Sequence, residues 1–415
     1  MIKVGLLLNK TDVNEDRQFS LAMLLMTAVL VIGTGHFKVE GMNADVFAIN
    51  YRNGVLPRGF IGWLYDILCS AFGNRLYNYL TVLILCTISY FIYLAILWKY
   101  SKKMIRALEG SDYAKAFIIT VSPMFIKMFL SEGNFGRTDM FLLLLSIGAG
   151  YAIMKQHGLV LAVVFPVIAV LIHEGYVLTF YNVVIACFIY RIVTSEGRKR
   201  TINIFWLGVS LILVAVSFLW VYLLCRVYVP ISQEYYDSIY YSAEFLSAPD
   251  SHAHYGFLMY VLFGMDLYQY EDTFRIIGSA ELPLFFILSA PFTIKLVSFF
   301  RSLYRESSNK KLVVLLSLGS LTLLPDFILK CDYGRWVFAL YSYYIVLLVL
   351  FIISNNTVVK KVFREQLSIV YKSSWRGLFY AMYFMLFLPF QCTHVSDITE
   401  DVIFLVKDIF LGRYI

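Results

Sequence analysis

The sequence predicts an all-α, polytopic integral membrane helical bundle of about eleven transmembrane helices, with interfacial helices in the first outer loop. Three observations carry that expectation. Of the 415 residues, 60% are hydrophobic and only 15% are charged, where soluble domains run at about 45–50% apolar and about 25% charged. The apolar residues gather into separate runs rather than the alternating patterns of a half-buried sheet or surface helix. The cations are also unevenly shared: 22 of the 35 Lys and Arg fall in loops on one side of the alternating runs and 12 on the other, with Lys295 inside a run. Cation-rich loops stay in the cytoplasm, which puts the N-terminus inside and the C-terminus outside. The formal net charge of +7 is therefore a sum over two unlike faces, and without a basic tract or recognition motif it excludes a nucleic-acid partner.

The first run, Phe19 to Gly35, follows the polar stretch Lys10–Arg17. No small-x-small site precedes a soluble domain, so the run reads as a retained span rather than a cleaved leader. Residues 36–77 then form an outer loop. Within it Gly59–Phe72 (GFIGWLYDILCSAF) is short for a span and carries Asp66, which suits a helix lying in the outer interface. Further runs lie near 78–98, 114–130, 139–154, 159–173, 176–190, 204–228, 282–300, 311–329, 336–353 and 377–390. Several, such as Met140–Met154 and Gly377–Phe390, fall short of the ~20 residues a span needs, so they are expected to tilt, break or border a polar cavity. The clusters Arg191–Arg200, Arg301–Lys311 and Lys360–Arg376 all land on the inner side, and one span more or fewer would scatter them. A second outer loop covers 230–281. No linker, repeat or low-complexity tract divides the chain, so residues 1–415 read as a single polytopic membrane domain. The six cysteines form no CxxC pair, which indicates neither a zinc site nor a disulfide framework.

This topology collects four charged clusters on the outer face. The first loop carries Glu40, Asp45, Arg52 and Arg58 ahead of the interfacial segment, either as a solvated anchor or as an anion site with an acid or base beside it. Glu132-Gly-Asn-Phe-Gly-Arg-Thr-Asp139 lies between two apolar runs, where a charged group needs a partner or a wet cavity. There Arg137 and Asp139 either neutralise each other at a helix start or serve a site. His173-Glu174-Gly175 pairs a residue that can act as a base near neutral pH with a carboxylate that can orient it or act alone. Lys330-Cys-Asp-Tyr-Gly-Arg-Trp336 offers the planar donor fork of Arg335 and the point charge of Lys330, with Asp332 close by as a neutralising partner. Asn-Phe-Gly-Arg at 134–137 and Asp-Tyr-Gly-Arg at 332–335 echo one another. The 230–281 loop is rich in tyrosine, which fits either sugar stacking or an interfacial aromatic belt. Its His252 and His254 lack a third metal ligand. No Walker A, GxGxxG, HExxH or GxSxG motif occurs, and no metal or cofactor is assigned.

Several arginines with a His-Glu pair and nearby aspartates fit transfer from a lipid-linked phosphate or diphosphate donor. The arginines Arg58, Arg137 and Arg335, with Lys330, would hold the leaving phosphate, while His173, Glu174, Asp45 or Asp139 would take the acceptor proton. In its many short spans, long first outer loop with Asp45, and Gly-Arg-x-Asp, His-Glu and Asp-x-Gly-Arg motifs, the chain resembles polytopic bacterial envelope glycosyltransferases of the GT-C type and the Wzy or EpsG-like polysaccharide polymerases. That resemblance implies a polyprenyl-linked saccharide donor in the cytoplasmic membrane, metal-independent or weakly metal-dependent transfer on its outer side, and surface polysaccharide as the product. It implies that a first-loop acid, matching Asp45 or Glu40, is the base, although the loop has no DxD motif. It further implies that Arg137, Arg335 and Arg58 bind the lipid diphosphate, and it makes membrane lipid and other polysaccharide assembly proteins the expected partners. The rival expectations are a transporter or flippase of lipid-linked saccharides, for which Lys127, Lys295 and Asp326 within spans would speak, and a non-catalytic assembly protein.

Overall fold

The computed structural model describes residues 2–130, 133–229, 231–264, 281–329 and 333–386. Among these residues every regular element is helical and none is a strand. In chain order the helices are α1 (Ile2–Thr34), α2 (Met42–Ala48), α3 (Gly59–Phe72), α4 (Tyr79–Ala107), α5 (Asp112–Lys127), α6 (Asp139–Lys155), α7 (Leu161–Ile172), α8 (Tyr176–Thr179), α9 (Tyr181–Thr194) and α10 (Gly197–Leu219). They continue with α11 (Cys225–Tyr228), α12 (Gln233–Leu246), α13 (Tyr255–Phe263), α14 (Glu281–Glu306), α15 (Lys310–Leu318), α16 (Leu324–Leu329), α17 (Tyr333–Ile353), α18 (Thr357–Tyr371) and α19 (Ser374–Leu386).

Four stretches are long and apolar enough to cross a membrane: Tyr79–Ala107, Gly197–Leu224, Phe286–Glu306 and Gly334–Ile353. Shorter apolar helices accompany them at Arg17–Gly33, Gly59–Phe72, Leu161–Ile172 and Tyr181–Thr194. The fourth long stretch differs from the others, with 78% of its apolar window buried against 22%, 17% and 17% for the first three. Helix α17 is thus a central strut, packed on α4, α6, α9 and α18, while α4, α10 and α14 turn most of their apolar surface outward.

Several sequence runs are interrupted where a single span was expected. The run near 176–190 divides into α8 and α9 at Phe180, and the run near 311–329 divides into α15, a 3-10 turn at Gly319–Leu323, and α16. The run near 114–130 ends as helix at Lys127, and that near 377–390 is helical from Ser374 to Leu386, its last residues lying outside the described set. A broken helix frees carbonyls that lipid cannot satisfy. Tyrosines do so here. The hydroxyls of Tyr90 and Tyr93 on α4 donate to the Ile126 and Phe125 carbonyls at the end of α5, at 3.0 and 3.1 Å. Those of Tyr343 and Tyr344 on α17 donate to Leu316 and Ser317 at the end of α15, at 2.8 and 2.7 Å. Around Pro291, which lies inside the continuous helix α14 and has no N–H of its own, Tyr341 and Tyr383 donate to the Ser289 and Leu288 carbonyls, each at 2.7 Å.

The two segments expected as outer loops contain helices among their described residues. The first folds as α2 and α3, and the second contains α12 and α13, with α12 packed against α2. Helix α12 starts at Ser232, whose hydroxyl accepts from the Tyr235 N–H, and α13 starts at His254, whose Nδ1 accepts from the Phe257 N–H. Such N-caps satisfy first-turn amides. The Lys360–Arg376 region, expected as an inner loop, likewise forms the amphipathic helix α18 and the start of α19, with Val359, Val362, Phe363 and Leu367 buried.

Candidate functional site

One part of the bundle, expected from the sequence to face outward, gathers charged residues from distant parts of the chain. Helix α3 can approach α2 closely because Gly62 has no side chain: a Cβ there would collide with the Ile49 carbonyl oxygen. That approach sets the start of α3, and with it Arg58, its N-cap residue. Arg58 is left-handed, at φ 57°, a conformation that costs a non-glycine residue about 1–2 kcal/mol and is held only where surroundings insist. The surroundings are a carboxylate and two rings. Arg58 Nε donates to Glu174 Oε1 and Oε2 at 3.2 and 3.1 Å, and its Nη2 donates to Oε1 at 2.6 Å. The guanidinium carbon also lies 5.0 Å from the centroid of the Phe257 ring and 5.5 Å from that of Tyr260, both on α13.

Glu174 sits in the turn His173-Glu174-Gly175, between the end of α7 and the start of α8. Burial opposes its ionisation, but Arg58 outweighs burial and holds the carboxyl well below the usual carboxylate range. In the same turn, His173 Nδ1 accepts from the Gly175 N–H at 2.9 Å, and its Nε2 lies 3.1 Å from Arg335 Nη2. A donor thus faces each ring nitrogen. A neutral imidazole has one acceptor nitrogen and an imidazolium has none, so this setting keeps His173 neutral and gives it no outlet as a proton acceptor. Arg335, in the first turn of α17, also donates from Nε to Asp139 Oδ1 at 2.8 Å. Asp139 opens α6 and is 2% exposed.

Arg58, Glu174, His173, Arg335 and Asp139 therefore form one connected, buried chain of contacts drawn from four separate sequence clusters. Asp139 takes Arg335 as its hydrogen-bonded ion partner, while Arg137 acts on it through its charge. The turn that carries Arg137 is fastened to α2: the Asn43 side-chain amide donates to the Gly133 and Phe135 carbonyls at 2.9 and 3.1 Å. Gly136 adopts φ 90° there, and a Cβ would press on Cys86 Sγ at 3.2 Å.

Asp45 lies two residues beyond Asn43 and is fully buried. One oxygen, Oδ2, accepts from the His254 N–H at 3.0 Å, while Oδ1 has no hydrogen-bond partner among the described residues. Burial raises its pKa to about 7, the His254 N–H opposing and the nearby Glu244 charge adding to the rise. Asp45 is thus the carboxyl of this region whose protonation changes near neutral pH, in contrast to Glu174.

The remaining sequence candidates stand apart. Glu40 pairs with Lys38 at 2.5 Å, and Lys38 also pairs with Asp250 at 2.7 Å. Arg52 pairs with Asp66 of α3 and is largely exposed. Lys330 and Asp332, and Glu132 of the second cluster, lie outside the described residues. His252 Nδ1 faces Glu244 Oε2 at 3.2 Å while His254 caps α13, and among the described residues no three His, Cys, Asp or Glu are grouped to hold a metal. Lys127, buried at the end of α5, donates to the Met385 carbonyl and ties α5 to α19. What sequence reasoning missed is α13. Its first amide holds Asp45 and its rings hold Arg58, and the signal available was the pattern His254, Phe257, Tyr260, which shares one helix face. Compared with protein-family models, curated proteins and solved structures, the chain has no significant match.

Proposed function

We propose that the chain is a polytopic membrane glycosyltransferase or polysaccharide polymerase. It moves sugar units from a polyprenyl-phosphate- or polyprenyl-diphosphate-linked donor to an acceptor hydroxyl, on the outer side of the cytoplasmic membrane, in surface polysaccharide synthesis. The short apolar helices add to the four long ones in a bundle of about eleven membrane segments, N-terminus inside and C-terminus outside. The carrying observation is the convergence of Arg58 and Arg335 with Glu174, His173 and Asp139 in one network, joined through α13 to Asp45, whose Oδ1 has no hydrogen-bond partner among the described residues.

Each guanidinium has five donors in a fixed fork. Glu174 engages the Nε and Nη2 side of Arg58, and Asp139 engages Nε of Arg335, whose Nη2 lies 3.1 Å from His173 Nε2. The carboxylates fix the two arginines in place, and the donors of Arg58 beyond Nε and Nη2 meet phosphate oxygens without reorganisation. In the transfer step the acceptor hydroxyl gives its proton to the Asp45 carboxylate as its oxygen bonds to the anomeric carbon. The bond from that carbon to the phosphate oxygen breaks, and its electron pair leaves with the lipid phosphate, against Arg58 and Arg335. Asp45 is favoured as base over His173 and Glu174 because its Oδ1 has no partner among the described residues and its pKa is about 7, near working pH. His173 and Glu174 act instead as positioning residues. The test uses purified full-length chain in liposomes with undecaprenyl-diphosphate-linked oligosaccharide units from the source cells. Wild type is expected to extend or transfer them and Asp45→Asn to fall at least a hundredfold. No transfer by wild type, with unaltered polysaccharide in cells lacking the chain, overturns the reading.

A further inference from the structure

Around Asp45 the surface changes character. Helix α12 presents Tyr236, Tyr240, Tyr241 and Glu244, and α13 begins with Tyr255. Tyr236 is buried and its hydroxyl has no partner among the described residues. Tyr240 stacks along it at 6.4 Å and 25°, and Tyr255 meets it edge-on at 6.4 Å. Tyr241 and Tyr255 are exposed by 71% and 52%, and Asp45 and Tyr236 are buried; Tyr241 meets Tyr240 at 6.0 Å. The charges near this face are acidic: Asp45, Glu244 and Asp237 all act on Tyr236 or Asp45. Glu244 is already engaged by the Ala253 N–H, at 3.1 Å, and by His252.

Resting on the transferase reading, we infer that this face of α12 and α13 is the acceptor subsite. It takes the hydroxyl-rich, uncharged end of a saccharide, with sugar C–H faces on Tyr240, Tyr241 and Tyr255, and hydroxyls on Asp45 Oδ1 and the Tyr236 hydroxyl. Two observations point to a saccharide rather than a phosphate. Asp45 Oδ1 and the Tyr236 hydroxyl, both buried and without a partner among the described residues, suit a hydroxyl as donor and acceptor, and acidic neighbours repel an anion. Flat rings with polar edges are also the surface on which a sugar packs its apolar face. Helix α13 then separates two functions: its first amide serves the acceptor side through Asp45, and Phe257 and Tyr260 on its following turns serve the donor side through Arg58.

The experiment measures binding of oligosaccharides released by mild acid from the source cells' own surface polysaccharide. The probe is added to the full-length chain in nanodiscs and followed by saturation-transfer NMR. Wild type is expected to bind; Tyr241→Ala combined with Tyr255→Ala weakens binding at least about tenfold, and Tyr236→Phe, which keeps the ring, weakens it several-fold. Inorganic pyrophosphate does not compete. Absence of binding to wild type, undiminished binding in both variants, or competition by pyrophosphate overturns the inference. Tyr241 and Tyr255 are surface rings, and Tyr236→Phe removes only a hydroxyl, so folding is preserved for the comparison. Loss of the transferase reading is seen separately: saccharide then still binds in a tyrosine-dependent way while no transfer occurs under any donor.

Discussion

Replacing Glu174 by Leu and Arg58 by Met, singly and together, separates a structural ion pair from a phosphate clamp. The side chains are 12% and 8% exposed and share three hydrogen bonds. Removing either partner alone leaves a buried charge uncompensated, which costs about 3–5 kcal/mol, whereas replacing both with apolar groups of similar volume is often neutral or stabilising. Thermal unfolding in detergent should therefore show two destabilised single variants and a double variant close to wild type. Activity should behave differently. Losing a preorganised donor to the leaving group costs about 10²–10³ in rate, so the double variant, though stable, stays at least a hundredfold down in transfer. A double variant that regains both stability and activity would refute the clamp and leave the pair a packing device. A double variant as unstable as the singles would refute the buried-pair energetics.

Three further outcomes follow from named contacts. The Asp45 carboxyl is raised to about 7 from an ordinary value of 3.8, so folding favours its protonated form: its stabilising share is full below about pH 4 and is lost as pH rises through about 7. Transfer should rise with pH through about 7 as the base ionises, and Asp45→Asn should be inactive yet more stable than wild type at pH 8, by at most ~4 kcal/mol, with the gap closing toward pH 4; equal stability across that range in thermal melts would contradict the raised pKa. Tyr343→Phe strands the Leu316 carbonyl inside the bundle and should lower stability by about 1–3 kcal/mol, read by chemical denaturation in detergent, with no change indicating that the carbonyl needs no cap. Gly62→Ala drives a Cβ into the Ile49 carbonyl, so α3 must shift and carry Arg58 away from Glu174; the expected result is loss of transfer with helix content by circular dichroism retained, and full activity would show that the α2–α3 approach does not position the site.

Much of the outer cluster was legible in the sequence because charge is costly beside apolar runs. Arg58, Asp139, His173, Glu174 and Arg335 each stand out against their surroundings, and local spacing suffices to notice them. Their pairing does not follow from spacing. Arg58 meets Glu174 across 116 residues, a contact fixed by how α3 and α7 pack, and Asp139 takes Arg335 as its hydrogen-bonded ion partner although Arg137 is two residues away. The helical class was evident, but the lengths of its helices were less so. A run such as 311–329 looks continuous in hydrophobicity, and the break at Gly319 shows only when α17 is present: a Cβ at that glycine would strike the Tyr343 hydroxyl. For the same reason the sequence does not show that Tyr90 and Tyr343 cap helix ends within the bundle, or that Tyr383 donates to a carbonyl of α14 near Pro291. Tyrosine abundance in the 230–281 segment concealed a helix, α13, whose contacts join Asp45 to Arg58.

Glycosyl transfer breaks the sugar–phosphate bond, whereas transport moves the lipid-linked saccharide intact, so the products separate the two. Purified chain in sealed liposomes, supplied with undecaprenyl-diphosphate-linked saccharide from the source cells, should release undecaprenyl diphosphate in one-to-one proportion with new glycosidic bonds, and Arg335→Ala should abolish both together. Saccharide-lipid that changes leaflet intact, with no lipid diphosphate released and no glycosidic bond made, would rule out glycosyl transfer and mark the chain as a flippase.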